Sequence, residues 1–276
     1  MVIAGIRRMV RGKVNRMEIA GVDKRTPVKS WQGEGPYAGE RIVVLRFMGC
    51  NMKCHWRNNT GGLSWCDTKW TWDGSERGEV WGVDKLVDRV WKEACKHLAL
   101  APWETKAFAT YKRAKIVMVT GGEPMLRQDS EAFHKLIEGL KAKGLKIHFE
   151  TNGSKPPNEW ARKNIDFFDM SPKYQLYPSE YTIEKVKAWQ NCGVQVAWKF
   201  VVGTQADVYD LRDWVESMML PKDADIWLMP LTNDDKSMDE ALQLLKAGVV
   251  KAFQETYLAF KKVHISPRLQ ITGGFP

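Results

Sequence analysis

Cys50, Cys54 and Cys66 follow a strand-like run, Arg41–Phe47, and are the residues of this chain whose types and spacing best suit chemistry. As thiolates they are ligands for zinc or for an iron–sulfur cluster. Structural zinc sites and electron-transfer clusters take four protein ligands, so three is one short. A 4Fe–4S cluster held by three cysteines leaves one iron open to a small molecule, the arrangement of a site that reacts. The competing zinc reading needs His55 as fourth ligand. It directly follows Cys54, an awkward geometry for joint chelation, and no second Cys-x-x-Cys pair lies further along. A disulfide framework fits worse, because five cysteines are an odd number and 276 residues suffice to bury a core. Cys95 and Cys192 extend apolar stripes (Leu86, Val87, Val90, Trp91, Ala94 and Ile183, Val186, Trp189), so both are expected to be buried small hydrophobes.

A second constellation follows. The run Ile116–Thr120 reads as a buried strand and ends in Gly121-Gly122-Glu123-Pro124. Such a turn lets backbone approach a ligand closely, and an acidic residue in it can accept hydrogen bonds from an ammonium group. Glu150 ends the apolar run Ile147-His148-Phe149, where a carboxylate would need a partner.

The elements that must position these groups alternate. Strand-like runs fall at Arg41–Phe47, Ile116–Thr120, Lys146–Glu150, Asp166–Met170, Val194–Val202 and Asp225–Met229. Helical patterns lie between them at Val83–Leu98, Ser130–Lys143, Ile183–Cys192, Asp207–Met219 and Met238–Tyr257. Ser130 is the expected N-cap of its helix and Gly144 its stop. Alternation of this kind predicts an α/β fold with parallel strands and right-handed crossovers, and ligands at the carboxyl ends of the strands. The Gly-Gly-Glu-Pro, Glu150-Thr151-Asn152-Gly153 and Ser171-Pro172-Lys173 segments all sit at such ends. The sequence shows no internal repeat and no apolar run of membrane-spanning length.

With these motifs in hand, the chain resembles the radical S-adenosylmethionine enzymes, and within them the 7-carboxy-7-deazaguanine synthase family. The resemblance runs through Ser30-Trp31-Gln32-Gly33-Glu34-Gly35-Pro36, Leu45-Arg46-Phe47-Met48-Gly49-Cys50-Asn51, Trp65-Cys66-Asp67-Thr68, Thr120–Pro124, Glu150–Gly153 and Ser171–Lys173. Together these span most of residues 28–202. It implies a partial (β/α) barrel with parallel strands. It also implies a 4Fe–4S cluster on Cys50, Cys54 and Cys66 whose open iron chelates S-adenosylmethionine, cleaved on one-electron reduction to methionine and a 5′-deoxyadenosyl radical. By the same resemblance Trp65 lies by the adenine, and Gly121, Gly122 and Glu123 meet the methionine end. Glu150, Thr151 and Asn152 face the ribose, and Ser171 and Lys173 the ribose or carboxylate. The implied substrate is 6-carboxy-5,6,7,8-tetrahydropterin, converted to 7-carboxy-7-deazaguanine with loss of ammonia. Gln32, Glu34 and Arg46 match substrate contacts. Arg46 offers a planar fork to a carboxylate and Glu34 an acceptor to the pterin N–H edge. Thr68 matches a Mg2+ position, an oxygen donor suited to a hard cation. A reduced flavodoxin or ferredoxin as electron donor, a homodimer and a cytoplasmic location complete the expectation, with no membrane and no direct nucleic-acid binding. The rival readings are an activase that makes a glycyl radical on a partner protein and, from a different class, a non-enzymatic iron–sulfur or zinc protein that binds nucleic acid through its basic surface.

Some segments depart from the pattern. Eleven residues, His55 to Trp65, separate Cys54 from Cys66, where the superfamily has a far shorter gap. Their turn-rich Asn58-Asn59-Thr60-Gly61-Gly62 predicts a surface excursion over 55–65 that returns Cys66 to the cluster. Ala99–Lys115 is expected to be a loop. The C-terminal Leu269–Pro276 lacks the His and Lys of the family's closing segment, and Met229 stands where Gln is more usual. Residues 1–27 read as a flexible basic extension to a catalytic domain over 28–276. Arg7, Arg8, Arg11, Lys13 and Arg16 come without an acidic residue or an apolar signal core before Met17, itself a possible second start. A net charge of +9 and thirteen tryptophans, eight of them between Trp31 and Trp103, could serve a nucleic-acid groove. A solvated basic surface over an aromatic core, with room for an acidic redox partner, explains them better.

Overall fold

The computed structural model describes residues 15–20, 26–57, 63–96, 113–231, 243, 263–266 and 268. Expectations for the helix Met238–Tyr257 (Gln243, assigned to helix, excepted), most of the loop Ala99–Lys115, the C-terminal segment Leu269–Pro276 and the N-terminal basic residues before Asn15 lie outside them.

The runs expected to be buried strands form β3 (Arg41–Phe47), β7 (Ile116–Gly121), β8 (Lys146–Thr151), β9 (Phe167–Met170), β10 (Val196–Val202) and β11 (Asp225–Pro230). With β12 (Val263–Ile265) they form an all-parallel run in the order β12-β11-β10-β9-β8-β7-β3. The sheet does not close on itself, which makes it a partial barrel. Its far edge differs from the all-parallel expectation. Short strands β1 (Arg16–Ile19), β2 (Val28–Trp31) and β6 (Glu79–Gly82) add antiparallel, β1 and β2 both on β3 and β6 on β1.

Within the stretch read as a basic extension, Arg16–Ile19 form strand β1. Met17 and Ile19 are buried while Arg16 and Glu18 face solvent, the period-two alternation of a half-buried strand. The basic charge of Arg16 sits on the solvent side and does not prevent the pairing.

Helices cover the outer face. They are α1 (Val83–Cys95), α2 (Glu131–Ala142), α3 (Glu159–Asn164), α4 (Ile183–Gln190) and α5 (Gln205–Ser217). The expected N-cap of α2 forms, with Phe133 N donating to Ser130 Oγ at 3.4 Å, and Gly144 takes a positive φ of 76° just past its end. α5 begins with a reciprocal capping box between Thr204 and Asp207. Between helices and sheet, Phe47, Phe133, Phe149, Phe168 and Trp189 form a chain of tilted and edge-to-face rings with centroids 5.0–6.0 Å apart. Burying such rings contributes the largest share of core stabilisation. Cys192 is buried as expected, but Cys95 is exposed. The reason is angular: α1 buries Leu86, Val87, Val90 and Ala94, and Cys95 follows the half-buried Trp91 around the helix to its open side.

The opposite parity of each strand faces the barrel interior. Tyr37, His148 and Phe167 fill it low down, with ring centroids 4.4 and 4.8 Å from Tyr37. Two residues further along the same strands, polar side chains take over.

Candidate active site

One cavity of about 280 Å³ opens at the carboxyl ends of the strands, just under the roughly 300–1,000 Å³ of small-molecule sites. Its rim holds the three motif cysteines. The loop carrying Cys50 and Cys54 leaves β3 and enters a small hairpin, β4 (His55–Arg57) with β5 (Leu63–Trp65). The hairpin is the backbone of the long excursion expected between the second and third cysteines. It returns Cys66 beside Cys54, whose carbonyl accepts from Cys66 N at 3.2 Å. His55 is exposed, with Nδ1 3.3 Å from the carbonyl of Lys53.

The thiols fit an iron–sulfur cluster by their chemistry. Burial pushes Cys50 up to about 11 and Cys54 up to about 12, with Glu123 and Cys66 adding to the rise at Cys50, and Cys66 and Cys50 to that at Cys54. Burial and then Asp67 raise Cys66. Three thiolates gathered this way need a strongly cationic group to stay ionised, which an iron–sulfur cluster supplies. Among the described residues no three His, Cys, Asp or Glu side chains converge on a single-ion site. A polynuclear cluster does not ask that of its ligands.

The Gly-Gly turn works differently from the sequence expectation. At Gly122 a Cβ would stand 1.8 Å from the carbonyl oxygen of Gly49, and at Gly121, with φ of 103°, 2.5 Å from Phe47 N. The glycines allow the end of β7 to lie against the backbone that leads into Cys50. Gly122 N donates to Phe47 O and Glu123 N to Gly49 O, both at 2.9 Å. Thr68 caps the same junction, its Oγ1 donating to Gly121 O at 2.9 Å and lying 3.4 Å from Cys66 Sγ.

Glu123 is 1% exposed, and its carboxylate is already engaged. Oε1 accepts from Met125 N at 2.9 Å and Thr151 Oγ1 at 2.7 Å, and Oε2 from Asn152 N at 2.7 Å. Burial raises its pKa against these bonds. The residue therefore ties the end of β7 to the end of β8. Asn152 in turn donates to Asn51 Oδ1 at 2.9 Å, beside Cys50. Tyr181, absent from the sequence reading, donates to Asn152 O at 2.7 Å and accepts from Lys173 N at 2.7 Å. Lys173 Nζ reaches Ser171 Oγ at 2.7 Å. Gly121, Gly122, Glu123, Glu150, Thr151, Asn152, Ser171 and Lys173 all line the cavity that holds the cysteines. The side chain of Trp65 lies outside the described set, and Trp72 contributes an aromatic surface to the cavity.

The floor holds the remaining expected residues and several unexpected ones. Arg46 is the register partner of Thr120, whose hydroxyl donates to Glu150 Oε2 at 2.9 Å, and Glu150 is the register partner of Asp169. Lys199, on β10, has a side chain only 3% exposed and pairs with Glu150, with Glu34 at 3.0 Å and with Asp169 at 3.2 Å. Arg268 Nε donates to the other oxygen of Glu34 at 2.9 Å and lies 3.7 Å from Asp67. Burial works against the charge on Glu34, but Lys199 and Arg268 outweigh it and hold the carboxyl well below its usual range. Burial and the carboxylates of Glu150 and Glu34 push Asp169 up to about 7 despite Lys199. Gln32 and Met229 complete the wall. Lys199 was legible in principle, as a lysine inside Ala197-Trp198-Lys199-Phe200-Val201, where burial demands acidic partners. Arg268 had no such signal.

A partial parallel barrel with three cysteines on the loop after its first parallel strand defines the radical S-adenosylmethionine class. The chain is 29% identical to the 7-carboxy-7-deazaguanine synthase of Hyperthermus butylicus over 90% of each chain. It is also 29% identical to that of Pyrobaculum aerophilum, over 88% of this chain and 90% of the other. The crystal structure of QueE from Escherichia coli superposes with a TM-score of 0.59 over 91% of this chain and 93% of that one, at 18% identity, a likeness of fold. No family model matches the chain. Over nearly its whole length the chain is thus similar to the 7-carboxy-7-deazaguanine synthases.

Proposed function

We propose that the chain converts 6-carboxy-5,6,7,8-tetrahydropterin to 7-carboxy-7-deazaguanine, releasing ammonia. The observation that carries this reading is the joining, in one cavity, of the three-cysteine rim to a floor of Glu34 and Arg46. Cys50, Cys54 and Cys66 would hold a 4Fe–4S cluster. That cluster and S-adenosylmethionine, when bound, supply the one-electron chemistry that starts the reaction. The wall from Gly121 to Lys173 orients the cofactor: Gly121, Gly122 and Glu123 toward its methionine end, Glu150, Thr151 and Asn152 toward the ribose. Ser171 and Lys173 serve its hydroxyl or carboxylate groups, and Trp65 its adenine. Arg46 receives the substrate carboxylate, Glu34 accepts from the pyrimidine N–H edge, and Gln32 borders both. Substrate and product differ only by one ammonia, so the conversion is redox-neutral overall. Reducing equivalents from a flavodoxin or ferredoxin are then needed catalytically and not per turnover.

Among the described residues no helix is long and apolar enough to cross a membrane. A cytoplasmic homodimer is the accompanying proposal. The test is anaerobic reconstitution with iron and sulfide, followed by turnover with S-adenosylmethionine, the pterin and a reductant, and mass analysis of the products. Loss of ammonia from the pterin with the cofactor regenerated is the expected result. Cleavage of the cofactor that leaves the pterin intact would instead favour the activase reading.

Mg2+ is proposed at Thr68, whose Oγ1 gives its proton to Gly121 O and keeps lone pairs for a cation. A single hydroxyl binds Mg2+ weakly, so the octahedron would fill only with substrate oxygens and water. Turnover is therefore expected to rise with added Mg2+, and Thr68→Val to blunt that rise while leaving iron content unchanged. By linkage Mg2+ should tighten pterin binding by the factor by which pterin tightens Mg2+ binding. A Thr68→Val enzyme that loses stability but keeps the full Mg2+ response would remove this assignment and spare the rest.

A further inference from the structure

Glu34 sits on the loop after β2, on no strand of the barrel, yet its carboxylate lies on the cavity floor. Two cations hold it there, Arg268 on Oε1 and Lys199 on Oε2. Of the two, only Lys199 belongs to the parallel core. Its ammonium is almost fully buried and anchored from behind by Glu150 of β8 and Asp169 of β9. The charges do not balance. Glu34, Glu150 and Asp169 face Lys199 and Arg268, three carboxyls against two cations, with Arg46 further along the floor and Asp67 beyond Arg268. Asp169 Oδ1, moreover, is buried with no hydrogen-bond partner among the described residues, whereas Oδ2 meets Lys199. A surplus negative charge costs most where it is buried. Glu34 and Asp169 are the buried carboxyls here while the Glu150 side chain is 36% exposed, so a retained proton is favoured on a buried one. Asp169, set behind Lys199 and away from the cavity lining, is the group placed to do so.

We propose that Lys199 is a positioning residue that holds Glu34 as an ionised, aimed acceptor for the ligand's N–H edge, with Asp169 as the carboxyl that balances it. The inference rests on the reading of this cavity as a pterin site. It adds a residue that acts through Glu34 and touches neither the cluster nor the reacting carbon. Without Lys199, Glu34 would lose one of its two described cations and face the Glu150 carboxylate. Its pKa would rise, and at lower pH it would carry a proton and fail as an acceptor. The defect should therefore shrink as pH rises, which a purely structural loss would not do.

The experiment measures binding of 6-carboxypterin, an oxidised and unreactive relative of the proposed substrate, by its own fluorescence. It uses the cluster-loaded enzyme with S-adenosylmethionine bound. Wild type, Lys199→Met and the double variant Lys199→Met/Asp169→Asn are compared across the neutral pH range, each as a ratio to wild type so that titration of the ligand cancels. Lys199→Met is expected to bind roughly 10- to 100-fold more weakly, the loss of one charge-assisted contact. The ratio should recover toward wild type with rising pH, and the double variant, in which Asn replaces a carboxyl that already carries its proton, should bind as the single variant does. If Lys199→Met fails to load its cluster, Lys199→Gln, which keeps a hydrogen-bond donor without the charge, decides: it should fold and bind more weakly than wild type, with the same pH trend. Equal binding by Lys199→Met and wild type would overturn the proposal. So would a loss that is the same at every pH and is deepened by Asp169→Asn. Failure of wild type itself to bind the pterin would strike the substrate reading first, and the role of Lys199 with it.

Discussion

Replacing Cys50, Cys54 or Cys66 singly by Ala is expected to abolish the brown chromophore, the bound iron and all cleavage of S-adenosylmethionine. Each thiolate supplies one of only three protein ligands, and the rim offers no described spare. The remaining two cysteines are internal controls of opposite character. Cys95 is exposed, so Cys95→Ala should leave stability within about 0.5 kcal/mol of wild type. Cys192 is buried and its Sγ lies 3.4 Å from Val194 O, so Cys192→Ala should cost about 1 kcal/mol and spare the cluster. Iron analysis, the visible spectrum and thermal unfolding of all five variants separate these outcomes. A cluster that survives Cys54→Ala would show that the β4–β5 excursion supplies another ligand, with the adjacent His55 the first to examine.

The cysteine rim and most of the parallel core were legible in the sequence for a common reason: each is fixed by local signals. Buried strands such as Ile116–Gly121 are continuous apolar runs, and the helix after Ser130 carries its own cap and stop. The edge strands β1, β2 and β6 span four residues each, too short for alternation to stand out from a turn. Their pairing with β3 and with one another is a tertiary fact. The same limit applies to the site. The loops after β3, β7, β8 and β9 carry the family's motifs, so the residues that line the cavity beside the cysteines were nameable in advance. The floor was only half nameable. Glu150 announced itself as a carboxylate ending an apolar strand, but its partner Lys199 lies 49 residues away and Arg268 is 234 residues from Glu34. Charge balance in a buried site is a sum over distant segments, and one sequence does not display the sum. Cys95 failed for a different reason: a helical stripe has edges, and a residue one step past the buried line turns outward.

Glu123→Ala is expected to damage the fold before it damages cofactor binding, and this separates two roles the motif had merged. The Gly-Gly-Glu-Pro turn suggested a carboxylate for an ammonium group. The structure shows a carboxylate that accepts from Met125 N, Thr151 Oγ1 and Asn152 N at once, joining the ends of β7 and β8. Truncation strands three buried or part-buried donors, each costing about 1–3 kcal/mol when left unpaired. Their sum is a large part of an ordinary domain's stability of about 5–15 kcal/mol. For a chain of this size it corresponds to a fall in Tm of roughly 10–20 °C, measurable on the metal-free protein, where no cofactor can contribute. Because Asn152 reaches Asn51 beside Cys50, loosening β8 should also lower the iron retained after reconstitution. Glu123→Gln keeps one acceptor oxygen but turns an amide N–H2 toward existing N–H donors, so it should recover only part of the loss. An unchanged Tm in metal-free Glu123→Ala, with weakened binding of S-adenosylmethionine alone, would show that the three hydrogen bonds are dispensable and that the carboxylate serves the cofactor only.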